Sequence, residues 1–259
     1  MKFETISELV KGVPFIDPQN ARYLYDLIIR ERLSHILELG IAHGTGTCYM
    51  AAAVEELGGG AITSVDLSET KLEFRPSPEE QLAKANLSRF VNIVRMQTGY
   101  NWFLHDEIRR RTNGSGCTPE YDLCIIDGSK NWTIDGCAFF LADKLLKDNG
   151  WIIFDDYHWT YADADNRREV TDGITHRSLS EDERVVPHVK EIFELLVTQH
   201  PSYSRFYRTG NWAIAQKTAS GEKTYTIVHR ENFASIFGRV LAAVKHRAKH
   251  PAAPAQSAP

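Results

Sequence analysis

Short apolar runs alternate along the chain with segments whose apolar residues recur at helical spacing. The runs cover residues 36–39, 61–65, 123–126 and 151–154, and a further strand is expected at 91–97. Helices are expected at 47–57, 79–90, 102–111 and 132–146. Continuous apolar runs are typical of strands covered on both faces, and their alternation with helices favours a parallel sheet. We therefore predict an α/β fold in which a mostly parallel sheet carries helices on both faces.

The segments on either side of this alternation extend the prediction. Residues 3–30 favour two helices, the second at 18–30, and the loop between them is expected either to lie over a ligand or simply to pack on the sheet. Residues 202–208 and 212–216 flank Thr209-Gly210-Asn211, a pattern typical of a β-hairpin. This hairpin would add two strands to the five expected above.

The remaining segments are polar or of low complexity. The connection at 157–182 is long enough to form a lid over a bound substrate, and a helix is expected after it at 183–198. Residues 232–250 favour a basic helix, and the Pro/Ala-rich residues 252–259 favour a disordered tail. The chain is therefore divided into N-terminal helices at 1–30, a ligand-binding domain at 31–217 and an extension at 218–259.

Composition and charge limit the class of protein. Of the 259 residues, 42% are hydrophobic and 25% are charged, which is enough to bury a sizeable core. The net charge of −4 gives no basic surface and argues against a nucleic-acid partner. The first residues lack the apolar segment of a secretion signal, and no run is long enough to span a membrane. We expect a cytoplasmic protein with reduced thiols, because C-x-x-C spacing is absent from its cysteines, Cys48, Cys117, Cys124 and Cys137.

A glycine-rich turn connects the first apolar run to the helix that follows it. Gly40, Gly44 and Gly46 stand where the backbone must turn sharply and approach a ligand closely. The second apolar run ends on Asp66, whose carboxylate can accept both hydroxyl groups of a ribose. This order of strand, glycine turn, helix, strand and acid is typical of a nucleotide-binding half-unit. Its G-x-x-x-G-x-G spacing differs from the G-x-G-x-x-G of dinucleotide-binding proteins.

Three aspartates end two other apolar runs. Asp127 follows one run, and Asp155 and Asp156 follow another. In a parallel sheet these ends meet at the ligand-binding edge, where three carboxylates repel one another unless a cation lies among them. Oxygen ligands without His or Cys favour Mg²⁺, with Mn²⁺ and Ca²⁺ as alternatives. In a structural alternative, Asp155 would accept hydrogen bonds from loop amides and Asp156 would act as a cap.

The segment from Glu38 to Gly44 resembles motif I of the class I S-adenosylmethionine-dependent methyltransferases, whose pattern is E-x-G-x-x-x-G. The resemblance implies a Rossmann-like methyltransferase domain whose sheet has seven strands, mostly parallel with one antiparallel strand. It also implies that this domain binds S-adenosylmethionine at the glycine turn and the strand ends. The residues expected to bind this cofactor are Glu38, Gly40, His43, Gly44, Thr45, Gly46, Asp66 and Asp127.

A second resemblance is to the metal-dependent O-methyltransferases of the catechol and caffeoyl-CoA type. Their D-x-x-K motif is matched by Asp127-Gly128-Ser129-Lys130, and their Asp-Asn metal pair falls on Asp155-Asp156, with Asp in place of Asn. A bacterial branch, related to macrolide and sugar O-methyltransferases and to cephalosporin-hydroxylase-like proteins, carries a similar acidic pair but has D-G-x-H. The resemblance covers roughly residues 14–216 and leaves the acceptor unidentified.

The second resemblance implies methyl transfer to a hydroxyl group of a small molecule, such as a natural product, a phenol or a sugar. A metal ion held by Asp127, Asp155 and Asp156 would acidify that hydroxyl, and Lys130, its pKa lowered beside the metal, would take the proton. His158 is the next candidate base. Two alternatives stay open, a metal-independent methyltransferase and a non-catalytic S-adenosylmethionine-binding protein. The oligomeric state is open as well, a homo-oligomer included.

Overall fold

The computed structural model describes residues 1–114, 116–166 and 179–218. Its strands are β1 (His35–Leu39), β2 (Ala61–Leu67), β3 (Val91–Met96), β4 (Thr112–Asn113), β5 (Gly116–Cys117), β6 (Tyr121–Ile126), β7 (Leu146–Phe154), β8 (Tyr203–Thr209) and β9 (Trp212–Lys217). A seven-stranded sheet has the order β3-β2-β1-β6-β7-β9-β8, and β4 pairs with β5 alone. The neighbours in the large sheet are parallel except at β9, which is antiparallel to β7 and β8. The predicted sheet is confirmed.

Helices lie on both faces of this sheet, as predicted. They are α1 (Phe3–Leu9), α2 (Pro18–Glu31), α3 (Thr45–Glu56), α4 (Pro78–Lys84), α5 (Tyr100–Arg111), α6 (Trp132–Leu145), α7 (Tyr161–Asn166), α8 (Glu181–Arg184) and α9 (His188–Glu191). Single 3₁₀ turns lie at Glu69–Leu72 and Ser88–Phe90, and α9 continues into a π-helical turn at Ile192–Val197.

The central strands divide their side chains between two apolar layers. Ile36 and Ile153 pack in the layer that also contains residues of α1 to α4, whereas Leu37 and Ile152 pack in the layer of α5, α6 and α9. All four side chains are fully buried. Because neighbouring residues of a strand point to opposite faces, a strand covered on both sides needs a continuous apolar run. This requirement explains why the strands were recognisable in the sequence.

Two predicted helices have the wrong bounds. The helix predicted at 79–90 stops at Lys84, because Asn86 adopts a left-handed φ of 57° and Ser88–Phe90 forms a separate turn. The helix predicted at 183–198 is divided among α8, α9 and the π-helical turn. Pro187 separates the first two, since proline has no amide hydrogen to continue a helix.

The last parallel strand starts earlier than predicted. Residues 147–150 look like a helix stop signal, yet they lie within β7, which begins at Leu146. The pairing of β6 with β7 is irregular between Tyr121 and Leu123, so β7 accommodates extra residues there without losing its alignment at Phe154. The strand therefore still delivers Asp155 to the predicted edge.

The long connection at 157–182 contains α7, and α8 begins within it after Ser180, whose side chain accepts a hydrogen bond from the amide of Glu183. Residues 167–178, most of the predicted lid, lie outside the described residues. So do the basic helix predicted at 232–250 and the tail at 252–259. Within the part of the chain that the structure describes, no helix is long and apolar enough to cross a membrane. All four cysteines are free thiols.

Candidate cofactor and acceptor site

A cavity of about 600 Å³ lies at the carboxyl ends of the central strands. Its wall contains Gly40, Asp66, Asp127 and Asp155, which lie at or just past the ends of β1, β2, β6 and β7 respectively. A smaller cavity of about 30 Å³ shares several of these wall residues and extends towards Glu38. The predicted site residues are therefore brought to one edge of the sheet.

Two of the three glycines of the turn are required by its geometry. Gly40 has a φ of 99°, and a Cβ atom there would lie 2.3 Å from the carbonyl oxygen of Asp127. Gly44 has a φ of 73°, and its Cβ would lie 2.5 Å from the Cβ of Pro78. Gly46 differs, because it has an ordinary helical backbone and an added Cβ would come no closer than 3.6 Å to Glu38. Its part in cofactor binding stays a prediction.

Asp66 holds the glycine turn through main-chain amides. Its Oδ2 accepts hydrogen bonds from the amides of Ile41 (2.9 Å) and Ala42 (3.1 Å), and its Oδ1 accepts one from Leu67 (2.7 Å). A carboxylate has about four acceptor positions, so one remains for a ligand hydroxyl while these bonds persist. The predicted binding of both ribose hydroxyls would thus require one amide to move.

Glu38 lies behind the turn and is buried at 5% exposure. Its Oε2 accepts hydrogen bonds from the hydroxyls of Thr47 (2.7 Å) and Ser64 (2.6 Å), which join β1 to α3 and β2. Burial raises the pKa of Glu38 to about 8, because an ionised carboxylate is poorly solvated there. Glu38 borders only the smaller cavity, so its predicted contact with the cofactor has less support than its role in joining these elements.

His43 and Thr45 tie the turn to neighbouring segments. Nδ1 of His43 donates a hydrogen bond to the carbonyl of Pro76 at 2.9 Å, and the hydroxyl of Thr45 donates one to the carbonyl of Pro14 at 3.0 Å. The segment before α2 therefore packs on the glycine turn. Its residues Phe15 and Ile16 line the large cavity, as expected for a segment that covers a ligand.

Phe15, which the sequence prediction missed, belongs to an aromatic cluster at the cavity wall. Its ring stacks on that of His43 at 5.4 Å, and Phe74 packs edge-on against both. Phe15 is 65% exposed and has a φ of 75°, which is a strained conformation for a bulky side chain. A strained, exposed aromatic residue at a cavity is typical of a ligand contact, and no sequence motif marks it.

Lys130, which also lines the cavity, is surrounded by carboxylates. Its Nζ lies 2.5 Å from Oδ1 of Asp127, 2.8 Å from the carbonyl of Asp127 and 3.4 Å from Oδ2 of Asp156. Burial by itself would lower the pKa of Lys130, but the carboxylates of Asp127, Asp156 and Asp155 outweigh it and raise the pKa above the ordinary value for lysine. This direction reflects the carboxylates alone, so the lowered pKa that was predicted for Lys130 beside a metal ion stays a prediction.

Asp155 and Asp156 are oriented by their own main chain and by β9. Oδ1 of Asp155 accepts a hydrogen bond from the amide of Asp156 at 2.6 Å, and Asp156 has a left-handed φ of 60° that turns its side chain towards Lys130. Burial, together with the charges of Asp127 and Asp156, raises the pKa of Asp155 to about 8. The chain thus turns directly after β7, as the sequence requires if both aspartates are to face one site.

The described residues are not arranged as the predicted Mg²⁺ site, which stays a prediction. No group of three or more His, Cys, Asp or Glu side chains among them is placed to hold a metal ion. One oxygen of each aspartate already accepts a hydrogen bond from the protein. Lys130 donates to Asp127, a main-chain amide donates to Asp155, and Asn211 donates to Asp156. The ammonium group of Lys130 supplies the positive charge that these carboxylates need.

Asn211, at the tip of the β8–β9 hairpin, was missed by the sequence analysis. Its Nδ2 donates a hydrogen bond to Oδ1 of Asp156 at 2.9 Å, and its Oδ1 accepts one from the amide of His158 at 3.1 Å. His158 is exposed, packs edge-on against Tyr157 and is not among the described residues that line the cavity. Trp159 lines it instead. His158 as a catalytic base stays a prediction that this geometry does not favour.

Comparisons with known proteins agree with this geometry. Residues 37–157 match a family model described as a methyltransferase domain. An O-methyltransferase from Bacillus cereus, solved with S-adenosylhomocysteine, is 20% identical with a TM-score of 0.58, and the match covers 84% of this chain and 92% of that one. The O-methyltransferase TomG from Streptomyces achromogenes, involved in tomaymycin synthesis and solved with S-adenosylmethionine, is 15% identical with a TM-score of 0.57, covering 85% and 92%. No curated protein matches the sequence.

A third structure, the methyltransferase PaMTH1 from Podospora anserina, was also solved with S-adenosylhomocysteine. It is 14% identical with a TM-score of 0.57, and the match covers 83% of this chain and 86% of that one. At these identities the solved structures establish the fold, while the family model establishes the domain. Residues 37–157 match the methyltransferase domain model, and the described part of the chain has the fold of solved methyltransferases that bind S-adenosylmethionine or S-adenosylhomocysteine.

Proposed function

We propose that this protein transfers the methyl group of S-adenosylmethionine to a hydroxyl oxygen of a small molecule. The observation that carries the proposal is one cavity of about 600 Å³ whose wall contains both Asp66 with the glycine turn and Lys130 with its carboxylates. Methyl transfer requires donor and acceptor to be held together in one space with their reacting atoms aligned. Small-molecule sites typically occupy about 300–1,000 Å³, so this volume suits the task.

The cofactor would be held at the end of the cavity formed by the glycine turn. The backbone at Gly40 to Ala42 lines the wall, and Asp66 keeps one acceptor position for a ribose hydroxyl. When bound there, S-adenosylmethionine supplies an electrophilic methyl group on a sulfonium sulfur. The chain provides orientation at this end, and the groups that would act on the acceptor lie at the other.

Lys130 and Asp156 would act on the acceptor. Both line the cavity, and their charged atoms are 3.4 Å apart. The ammonium group donates a hydrogen bond to the acceptor oxygen and stabilises the negative charge that develops on it. In the transfer, the bond between the sulfonium sulfur and the methyl group would break as the O–C bond forms, S-adenosylhomocysteine would leave, and a neighbouring carboxylate would accept the hydroxyl proton. Asp156 suits this role better than Asp127, whose Oδ1 is already in a 2.5 Å bond with Lys130.

The wall also indicates the kind of acceptor. Phe15, Phe74 and Trp159 line the cavity and offer apolar surface to a small organic molecule. TomG, which has the same fold, is involved in the synthesis of a small natural product. We therefore favour a hydroxylated small molecule that has an apolar part, and we make no choice among phenols, sugars and other natural products.

The Mg²⁺ dependence suggested by the family resemblance stays a prediction from the sequence. The three predicted ligands, Asp127, Asp155 and Asp156, accept hydrogen bonds from Lys130, from a main-chain amide and from Asn211 respectively. No step of the proposal passes through a metal ion. Parallel reactions with EDTA and with added Mg²⁺ separate the two schemes: the geometry predicts a rate change below about twofold, whereas loss with EDTA and recovery with Mg²⁺ would support the metal.

The proposed function is tested with S-adenosylmethionine carrying an isotopically labelled methyl group. The full-length protein is incubated with hydroxylated small molecules and with their O-methylated analogues as matched controls, and products are detected by mass spectrometry. The expected result is labelled product only where a free hydroxyl is present. If S-adenosylhomocysteine binds but no hydroxyl compound is methylated, the non-catalytic alternative is favoured.

A further inference from the structure

Ser129 lies between Asp127 and Lys130, and two tyrosines from different elements hold its main chain. Its amide donates a hydrogen bond to the hydroxyl of Tyr100 at 3.1 Å, and its carbonyl accepts one from the hydroxyl of Tyr161 at 3.0 Å. Both tyrosine side chains are buried, and they belong to α5 and α7 respectively. The peptide units on both sides of Ser129 are therefore fixed by groups that do not line the cavity.

Tyr100 is fixed in turn by Asp135, a residue of α6 that is 1% exposed. The Tyr100 hydroxyl donates a hydrogen bond to Oδ1 of Asp135. The amide of Asn131 donates another to Oδ2 of Asp135 at 3.0 Å. Burial raises the pKa of Asp135 to about 6, while the hydrogen bond from Tyr100 acts in the opposite direction and favours the carboxylate. One buried carboxylate thus connects both ends of the segment 129–131.

The ring of Tyr100 also packs directly on the main chain of this segment. A Cβ atom added at Gly128 would lie 2.3 Å from Cε1 of Tyr100 and 2.6 Å from its hydroxyl oxygen. Lys130 follows with a left-handed φ of 54°, a conformation that non-glycine residues adopt only when their surroundings enforce it. The hydrogen bonds to Ser129 on one side and to Asn131 on the other hold Lys130 in this conformation.

We infer that Tyr100 and Asp135 are positioning residues, which hold the segment 128–131 so that the ammonium group of Lys130 stays in the cavity between Asp127 and Asp156. The inference rests on the proposed function for its effect on catalysis, and on the described contacts for its effect on the segment. Neither residue lines the cavity among the described residues, so neither is expected to contact cofactor or acceptor.

The first test is hydrogen exchange of individual backbone amides in Tyr100→Phe and Asp135→Asn. The phenylalanine variant removes the acceptor of the Ser129 amide, and the asparagine variant weakens the acceptor of the Asn131 amide. We expect these two amides to exchange at least about tenfold faster, with β1 and β2 unaffected. Tyr121→Phe is the matched control, because Tyr121 is buried at the other end of β6. Unchanged exchange at both amides overturns the inference.

The second test separates positioning from general stability. We expect both variants to lower kcat at least about tenfold, with KM for S-adenosylmethionine and the affinity for S-adenosylhomocysteine within about twofold of wild type. Tyr121→Phe should leave all three unchanged. A kcat no lower than in the control, or a proportional loss of kcat and cofactor affinity, overturns the inference. If wild type methylates no hydroxyl compound, the proposed function fails, and the exchange experiment still decides whether these residues hold the segment.

Discussion

The two ends of the cavity are constructed from different parts of the chain. The proposed cofactor end is formed by one carboxylate and a single turn, because Asp66 accepts hydrogen bonds from the amides of Ile41 and Ala42. At the acceptor end, side chains from three separate segments meet, and Lys130, Asp156 and Asn211 depend on one another for their orientation. The first end relies on main-chain geometry, whereas the second relies on charge and on distant contacts.

This difference implies that the two ends can fail separately. A change in the Lys130 cluster should alter turnover and leave cofactor binding intact, because no described hydrogen bond joins that cluster to Asp66. A change at Asp66 should do the reverse. The ends adjoin at Gly40, whose position leaves no room for a side chain beside Asp127.

The largest effect is expected from Lys130→Ala, which removes the ammonium group from the acceptor end. We expect kcat to fall by about 10²-fold or more, as for the loss of a group that stabilises developing charge. Calorimetry should show the affinity for S-adenosylhomocysteine within about twofold of wild type. Lys11→Ala is the control, since Lys11 is an exposed lysine on the surface. If cofactor affinity falls together with kcat, the two ends are not independent.

The next effect is expected from Asp66→Ala at the cofactor end. Hydrogen bonds to a charged group contribute about 1.5–3 kcal/mol, so the affinity for S-adenosylhomocysteine should fall at least about tenfold. At saturating S-adenosylmethionine, kcat should fall less than about threefold. Asp66→Asn keeps the shape and one acceptor oxygen, and it should show a smaller loss. An unchanged affinity in folded Asp66→Ala would contradict the assignment of this end to the cofactor.

A smaller effect is expected from Asn211→Ala, which tests whether the hairpin belongs to the acceptor end. The variant removes the hydrogen bond to Asp156 and the one from the amide of His158. Such bonds contribute about 1 kcal/mol each, so kcat should fall about three- to tenfold with cofactor affinity unchanged. Asn92→Ala, at an exposed asparagine of β3, serves as the control. Equal kcat values in the two variants would remove Asn211 from the site.

The smallest effect on turnover is expected from Glu38→Gln, whose main effect is on stability. The folded state raises the pKa of Glu38 from 4.5 to about 8, so the unfolded chain loses this proton first as the pH rises. Stability therefore falls between about pH 4.5 and pH 8, by at most about 1.4 kcal/mol per pH unit from this group. Scanning calorimetry at pH 5 and pH 8 should show a smaller difference in Tm for Glu38→Gln than for wild type. An identical difference would mean that Glu38 is ionised in the folded protein.

The sequence predicted the glycine turn and the position of Asp66, at the proposed cofactor end, because both obey local rules. Gly40 and Gly44 stand where a side chain would collide with the main chain or with Pro78, and Asp66 must follow a strand to reach the turn. Short-range constraints of this kind leave a fixed spacing in the sequence. The same is true of the strands, whose double burial produced continuous apolar runs.

At the proposed acceptor end, the sequence predicted which charged residues are present but not how they are arranged. The aspartates and Lys130 were identified, but the sequence could not show that Lys130 would lie among the carboxylates and have a raised pKa. Asn211 and Phe15 were missed because each reaches the cavity from a segment far away in the chain. No local pattern encodes such contacts.

The insertion of β9 between β7 and β8 has a consequence for synthesis on the ribosome. When Phe154 has emerged, one side of β7 can pair with β6, but its other side needs Trp212–Lys217, which are translated much later. Until then the apolar residues Trp151–Phe154 present an open strand edge, which other chains can recognise and extend. Nascent chains that stall before residue 212 should therefore be the species most prone to aggregate and most in need of a chaperone.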